Sequence, residues 1–160
     1  MQTKDEYPQS KKEYFHNPLT TQGLEILCHR LCKEPKIRFC GVINSLGRIV
    51  TGGFRDSVEP LDNEDQRRML YIQSTLEISM KREFNDTLGN VNFIVTYRDN
   101  VALISIPIQQ NFLLLMSVER NAEIEQIVKK TTSIFESNGM LGKKTKSTTK
   151  DNSTLFSECT

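Results

Sequence analysis

Three apolar runs, Val91 to Tyr97, Val101 to Ile108 and Phe112 to Val118, are separated only by Arg98-Asp99-Asn100 and Gln109-Gln110-Asn111. Polar connections this short cannot carry a crossover, so the runs are expected as neighbouring antiparallel strands of a meander. Pro107 removes a ladder donor and belongs at an edge, a bulge or a strand terminus. A sheet of this kind must cover its apolar surface, and the rest of the chain has to supply the cover.

Two further strands are expected upstream. Ile37 to Ile43 alternates in character, Asn44-Ser45-Leu46-Gly47 reads as a turn, and Arg48 to Phe54 completes a hairpin. Gly52-Gly53 within the second strand points to a bulge or a close backbone approach.

Helical stripes flank these strands. Leu24, Leu27, Cys28, Leu31 and Cys32 recur at helical spacing after Thr20 or Thr21 as N-cap, with Pro18 at the start and Glu34-Pro35 as the stop. Asp62-Asn63-Glu64-Asp65 opens a long helix over 63–88 with the acidic start that the macrodipole favours. Met69, Ile72, Leu76, Met80, Phe84 and Leu88 form its apolar stripe. Leu70, Tyr71 and Ile78 lie off that stripe, which gives this helix apolar residues for a second packing surface. Asn121 is expected to cap a last helix, Ala122 to Ser137, ended by Asn138-Gly139. The order is α-β-β-α-β-β-β-α: an α+β sandwich with a five-stranded antiparallel sheet, two terminal helices on one face and the middle helix on the other.

Composition agrees with one modest domain and two polar ends. Of 160 residues, 37% are hydrophobic, below the roughly 45–50% of globular chains, so about 120 residues are expected to fold. Residues 1–17 and 141–160 are read as flexible segments around a domain at 18–140, since the Ser-, Thr- and Lys-rich tail cannot offset its ordering entropy. The formal net charge of +1 and the absence of Trp argue against nucleic-acid binding. No basic n-region leads into an apolar h-region, and Phe112 to Met116 is too short to cross a bilayer, so a cytoplasmic protein without membrane insertion is expected.

Residues that could carry chemistry do not assemble into a recognisable set. Cys28 and Cys32 are four apart on a helix stripe, with Cys40 nearby and Cys159 in the tail, and read as small buried hydrophobes rather than zinc ligands. Gly139 to Thr145 lacks the glycine spacing of a phosphate loop, and no strand precedes it. His16 and His29 have no acidic partner at a diagnostic spacing, and no G-x-S-x-G occurs. Arg67 and Arg68 follow Glu64 and Asp65 closely enough for intrahelical pairs, although with Arg48 and Arg55 they could also face an acidic partner. No cofactor, metal or catalytic residue is assigned, and enzyme activity is not expected.

The hairpin Gly41 to Val50, the helix 63–88 and the meander with its final helix together resemble the roadblock/dynein-light-chain domain of the profilin-like and longin-like sandwiches. The resemblance spans about residues 18 to 140 and is similar in its polar ends to an archaeal lineage of the fold. It implies a non-catalytic homodimeric scaffold or regulatory module, paired through the middle helix and third strand, with a small GTPase as one partner class. Leu70, Tyr71, Ile78, Phe93, Val95 and Tyr97 are the interface residues this implies. The competing reading is a profilin-like or sensory domain that binds a small ligand or signalling partner. It would need convergent polar groups in a pocket, which the Ile-, Leu-, Val- and Phe-rich strands do not announce.

Overall fold

The computed structural model describes residues 20–141, so the flexible segments expected at 1–17 and 141–160 lie outside the described residues, Leu141 apart. Its elements run α1 (Thr21–Leu31), β1 (Ile37–Ile43), β2 (Ile49–Phe54), α2 (Glu64–Lys81), a 3-10 turn (Arg82–Phe84), α3 (Asn85–Leu88), β3 (Ile94–Tyr97), β4 (Val101–Ile108), a second 3-10 turn (Gln109–Asn111), β5 (Phe112–Glu119) and α4 (Ile124–Ser137). The five strands form one antiparallel sheet in the order β2-β1-β5-β4-β3. The expected α+β sandwich is the observed one.

Strand alternation divides the core into two. Cys40 and Val42 of β1, Ala102, Ile104 and Ile106 of β4 and Leu114, Met116 and Val118 of β5 pack with α1 and α4 into the larger cluster. Phe39, Ile43, Leu113 and Leu115 point the other way and meet Tyr71 and Ile78 of α2. Terminal helices therefore share one face and the middle helix covers the opposite one.

Local chemistry explains most boundaries. The Thr20 hydroxyl accepts from Gly23 N at 3.1 Å at the start of α1. Asn63 and Gln66 form a reciprocal capping box at α2, with bonds of 2.9 and 3.1 Å. Asn44 Oδ1 accepts from the amides of Leu46 and Arg48, both at 3.0 Å, and closes the β1–β2 turn. Gly52 has φ of +107°, and a Cβ there would stand 2.2 Å from the Cys40 carbonyl oxygen. That is the close backbone approach the glycine pair foretells.

Pro107 pairs with Leu113 in the β4–β5 ladder, whereas β3 ends its pairing with β4 at Ile94 opposite Ser105. Beyond Ser105 the internal strand β4 has an open side, which accommodates the proline.

Three boundaries differ from expectation by two residues or more. The helix expected over 63–88 is regular only to Lys81, then tightens into the 3-10 turn before α3. The third strand begins at Ile94 rather than Val91, because only 94–97 find partners on β4. Asn121 does not cap α4: the cap position is Glu123, with no side-chain bond, and Asn121 Oδ1 accepts from Lys36 Nζ at 3.2 Å instead.

Candidate interaction face

The middle helix presents two unequal faces. Towards the sheet it places Arg67, Leu70, Tyr71, Ser74 and Ile78, a helical face that includes the polar Arg67 and Ser74. Tyr71 is 6% exposed and Ile78 4%, both packed in the smaller core, and Leu70 is half-buried against the same cluster. Ser74 is also buried and donates to the Leu70 carbonyl at 2.8 Å, which satisfies its hydroxyl within the helix. Burial pushes the Tyr71 hydroxyl up to about 12, with nearby Arg67 opposing that shift and Asp62 adding to it.

Away from the sheet the helix shows its richer stripe to water. Leu76 is 57% exposed and Met80 68%, and Met69, Ile72 and Phe84 are exposed beside them. Leu88 of α3 is 80% exposed. The β1–β2 turn touches this face: a Cβ on Gly47, whose φ is +73°, would lie 2.9 Å from Ile72 Cα.

Relative to the sequence reading, the two faces of α2 are exchanged. Tyr71 and Ile78, assigned there to an interface, lie in the monomer core, while the stripe of Met69, Ile72, Leu76 and Met80 is exposed among the described residues. Periodicity identified both sets, but the signal for exposure was absent because the more apolar set is the outward one. Phe93 and Tyr97 are exposed at the edge strand β3, and Val95 is half-buried against the larger core. Arg120 stacks over the Tyr97 ring at 4.5 Å, so part of that aromatic surface is already covered by a cation.

Charges around the helix start are largely paired. Arg68 meets Glu64 at 2.6 Å and Asp65 at 3.4 Å, as the spacing predicts. Arg67 departs from that expectation: it bonds Asp62 at 3.2 Å and stacks over Phe54 at 4.7 Å. Cys28 of α1 and Cys40 of β1 are buried, and the Cys32 thiol donates to the Gly53 carbonyl at 3.6 Å. A hydrogen bond with Cys28 and burial hold Cys40 well above the usual thiol range, and burial raises Cys32. Thiols held this way are protonated and pack as small hydrophobes. Among the described residues no three His, Cys, Asp or Glu side chains converge on a metal position.

The sequence pattern of a family of unknown function, DUF6659, matches residues 18–144. The chain belongs to that family. No curated protein matches it. Its fold is shared with solved roadblock structures. The roadblock/LC7 domain from Streptomyces avermitilis superposes with a TM-score of 0.56 at 16% identity, over 71% of this chain and 92% of that one. MglB from Myxococcus xanthus gives 0.54 at 12% identity, over 75% and 92%. The gliding protein MglB from Thermus thermophilus gives 0.56 at 12% identity, over 71% and 86%. This DUF6659 chain therefore has the roadblock-like fold that its element order implies. Among its described residues, no helix is long and apolar enough to cross a membrane.

Proposed function

We propose that this chain is a cytoplasmic, non-catalytic interaction module that works as a homodimer. One observation carries the reading: α2 turns the more apolar of its two faces to water. A helix in a lone domain gains most by burying its richer stripe, so the outward row of Ile72, Leu76 and Met80 is the surface reserved for a partner. β3 lies at the end of the sheet order, with Tyr97 exposed on it and Phe93 exposed just before it. Two copies related by a twofold axis would pair α2 with α2 and β3 with β3, with Leu70 at the margin and Tyr71 and Ile78 supporting the helix from behind.

The shared roadblock fold makes a small GTPase the partner class to test first on the assembled dimer. An MglB structure described as having a tetrameric arrangement is one case of self-association on this fold, which supports the reading.

Sedimentation at tens of micromolar should give twice the mass of the 160-residue chain, and a monomer there would remove the dimer reading. Small GTPases from the same source, loaded with GDP or a GTP analogue, are then passed over immobilised protein. Binding that depends on the nucleotide supports the regulatory role; no binding by any of them confines the function to scaffolding.

A further inference from the structure

We propose that the cavity between the first half of α2 and the sheet is a binding site for a small planar aromatic carboxylate. The cavity measures about 510 Å³, inside the roughly 300–1,000 Å³ range of small-molecule sites. It lies on the sheet side of α2 and is distinct from the outward face assigned to self-association.

Its construction follows from the inner face of the helix, where Arg67 and Ser74 stand among apolar residues. Leu103 and Leu115 form an apolar floor on the strands, and Ser117 continues that floor with a side chain too short to fill the space beneath the helix. Phe39, Phe54 and Tyr71 make an aromatic wall: the Phe39 and Phe54 centroids are 5.0 Å apart at 57°, and Phe39 and Tyr71 are 6.1 Å apart at 22°. Phe39 packs against both neighbours and Arg67 covers one face of Phe54, so the wall offers ring edges and part-covered faces, which take an aromatic ring edge-to-face or offset.

The polar groups around the cavity are mostly donors. Arg38 uses one N–H on Glu119 at 3.1 Å and one on the Glu59 carbonyl at 2.9 Å, and has others unused. Arg67 is held by Asp62 through Nε at 3.2 Å and by the Asp62 carbonyl at 3.1 Å, again with N–H groups to spare. Arg98 stands on the β3–β4 turn beside Asp99, and both line the cavity. Asp62 and Asp99 are the acidic side chains facing it, and Asp62 is already engaged by Arg67. Tyr71 also lines the cavity, and its phenol is a further donor. A donor-rich set, with Arg38 and Arg67 half-buried and Arg98 exposed at the rim, beside an aromatic wall matches a ligand with a ring at one end and a carboxylate at the other. The strands taken singly show no such set; β1, α2 and the β3–β4 turn bring it together.

The test uses 2-naphthoate with the full chain, and 2-naphthalenemethanol as its uncharged counterpart. Calorimetry should show saturable 1:1 binding of naphthoate in the micromolar range, with the alcohol at least ~10-fold weaker by loss of charge-assisted bonds. Ser117→Phe should fill the cavity and abolish binding of both. Arg98→Gln should weaken naphthoate severalfold and leave the alcohol unchanged. Independently of any variant, naphthoate protons should give nuclear Overhauser contacts to methyl groups of Leu103 and Leu115. No saturable binding up to millimolar naphthoate overturns the proposal. So do equal affinities for the two probes, or contacts to Leu76 and Met80 instead, which would place the probe on the outward face.

Discussion

Replacing Leu76 with glutamate should separate two copies of the protein while leaving each one folded. Leu76 is 57% exposed on the outward face of α2. A partner closing over it recovers about half of the roughly 1.5–3 kcal/mol that full burial of a leucine is worth, or about 1 kcal/mol. A twofold interface contains the position twice, so removing it from both copies costs about 2 kcal/mol. That is a roughly thirtyfold rise in the dimer dissociation constant. Thirtyfold is a floor, because the new carboxylates must also lose water beside one another at the axis-related contact. Sedimentation equilibrium of wild-type and Leu76→Glu protein over a wide concentration range reads the shift directly. Far-UV circular dichroism and the thermal midpoint should stay near wild type, since the side chain makes no core contact. Ile78→Ala is the opposite case. At 4% exposure its loss should cost about 2–5 kcal/mol of folding stability. A Leu76→Glu protein that dimerises as tightly as wild type would refute the assignment of the outward stripe. Unfolding by Leu76→Glu would refute the placement of that side chain in water.

Three smaller perturbations test the elements that hold this face in place. Gly47→Ala puts a Cβ 2.9 Å from Ile72 Cα at a φ of +73°, and should cost about 1–2 kcal/mol in urea denaturation. Asn63→Ala removes the capping box of α2 and should cost about 1 kcal/mol by the same measurement, with no change in the dimer constant beyond that loss. The third is a pH dependence. The Tyr71 hydroxyl is raised to about 12 in the folded protein against 10 for the free group. Its contribution is therefore fully present below pH 10 and is lost as the pH climbs towards 12, because the unfolded chain ionises first. Cys32 and Cys40 are also raised and weaken the fold in the same direction at alkaline pH. The comparison that isolates Tyr71 is Tyr71→Phe, whose stability should fall less steeply than that of wild type across pH 9 to 11. Parallel curves would show that the hydroxyl is not held neutral by burial.

Where a pattern depends on neighbours in sequence, it could be read from the chain. The meander is legible because its polar connections are too short for anything but antiparallel neighbours. The β1–β2 turn is legible because Asn44 bonds its own following amides. The N-caps Thr20 and Asn63 act within three residues of themselves, so their chemistry is local as well. Asn121 is no cap: it sits in a turn closed by the Ala122 amide on the Glu119 carbonyl, and its side-chain oxygen accepts from Lys36, 85 residues away. Arg67 was expected to pair within its helix, yet Phe54 and Asp62 hold it.

The middle helix shows most clearly where sequence stops. Helical periodicity alone separates Met69, Ile72, Leu76 and Met80 from Leu70, Tyr71 and Ile78, and it gives the order of elements that builds the sandwich. It carries no information about which row meets the sheet. That choice depends on the shape offered by the strands: Phe39 stacks on Tyr71, while Leu113 and Leu115 join the cluster that holds Ile78. The poorer row fits that surface, and the richer row is left outside. The same selection leaves a donor-lined cavity under the first half of the helix. Both the face proposed for a partner and the site proposed for a ligand thus arise from tertiary packing, through contacts between residues far apart in the chain.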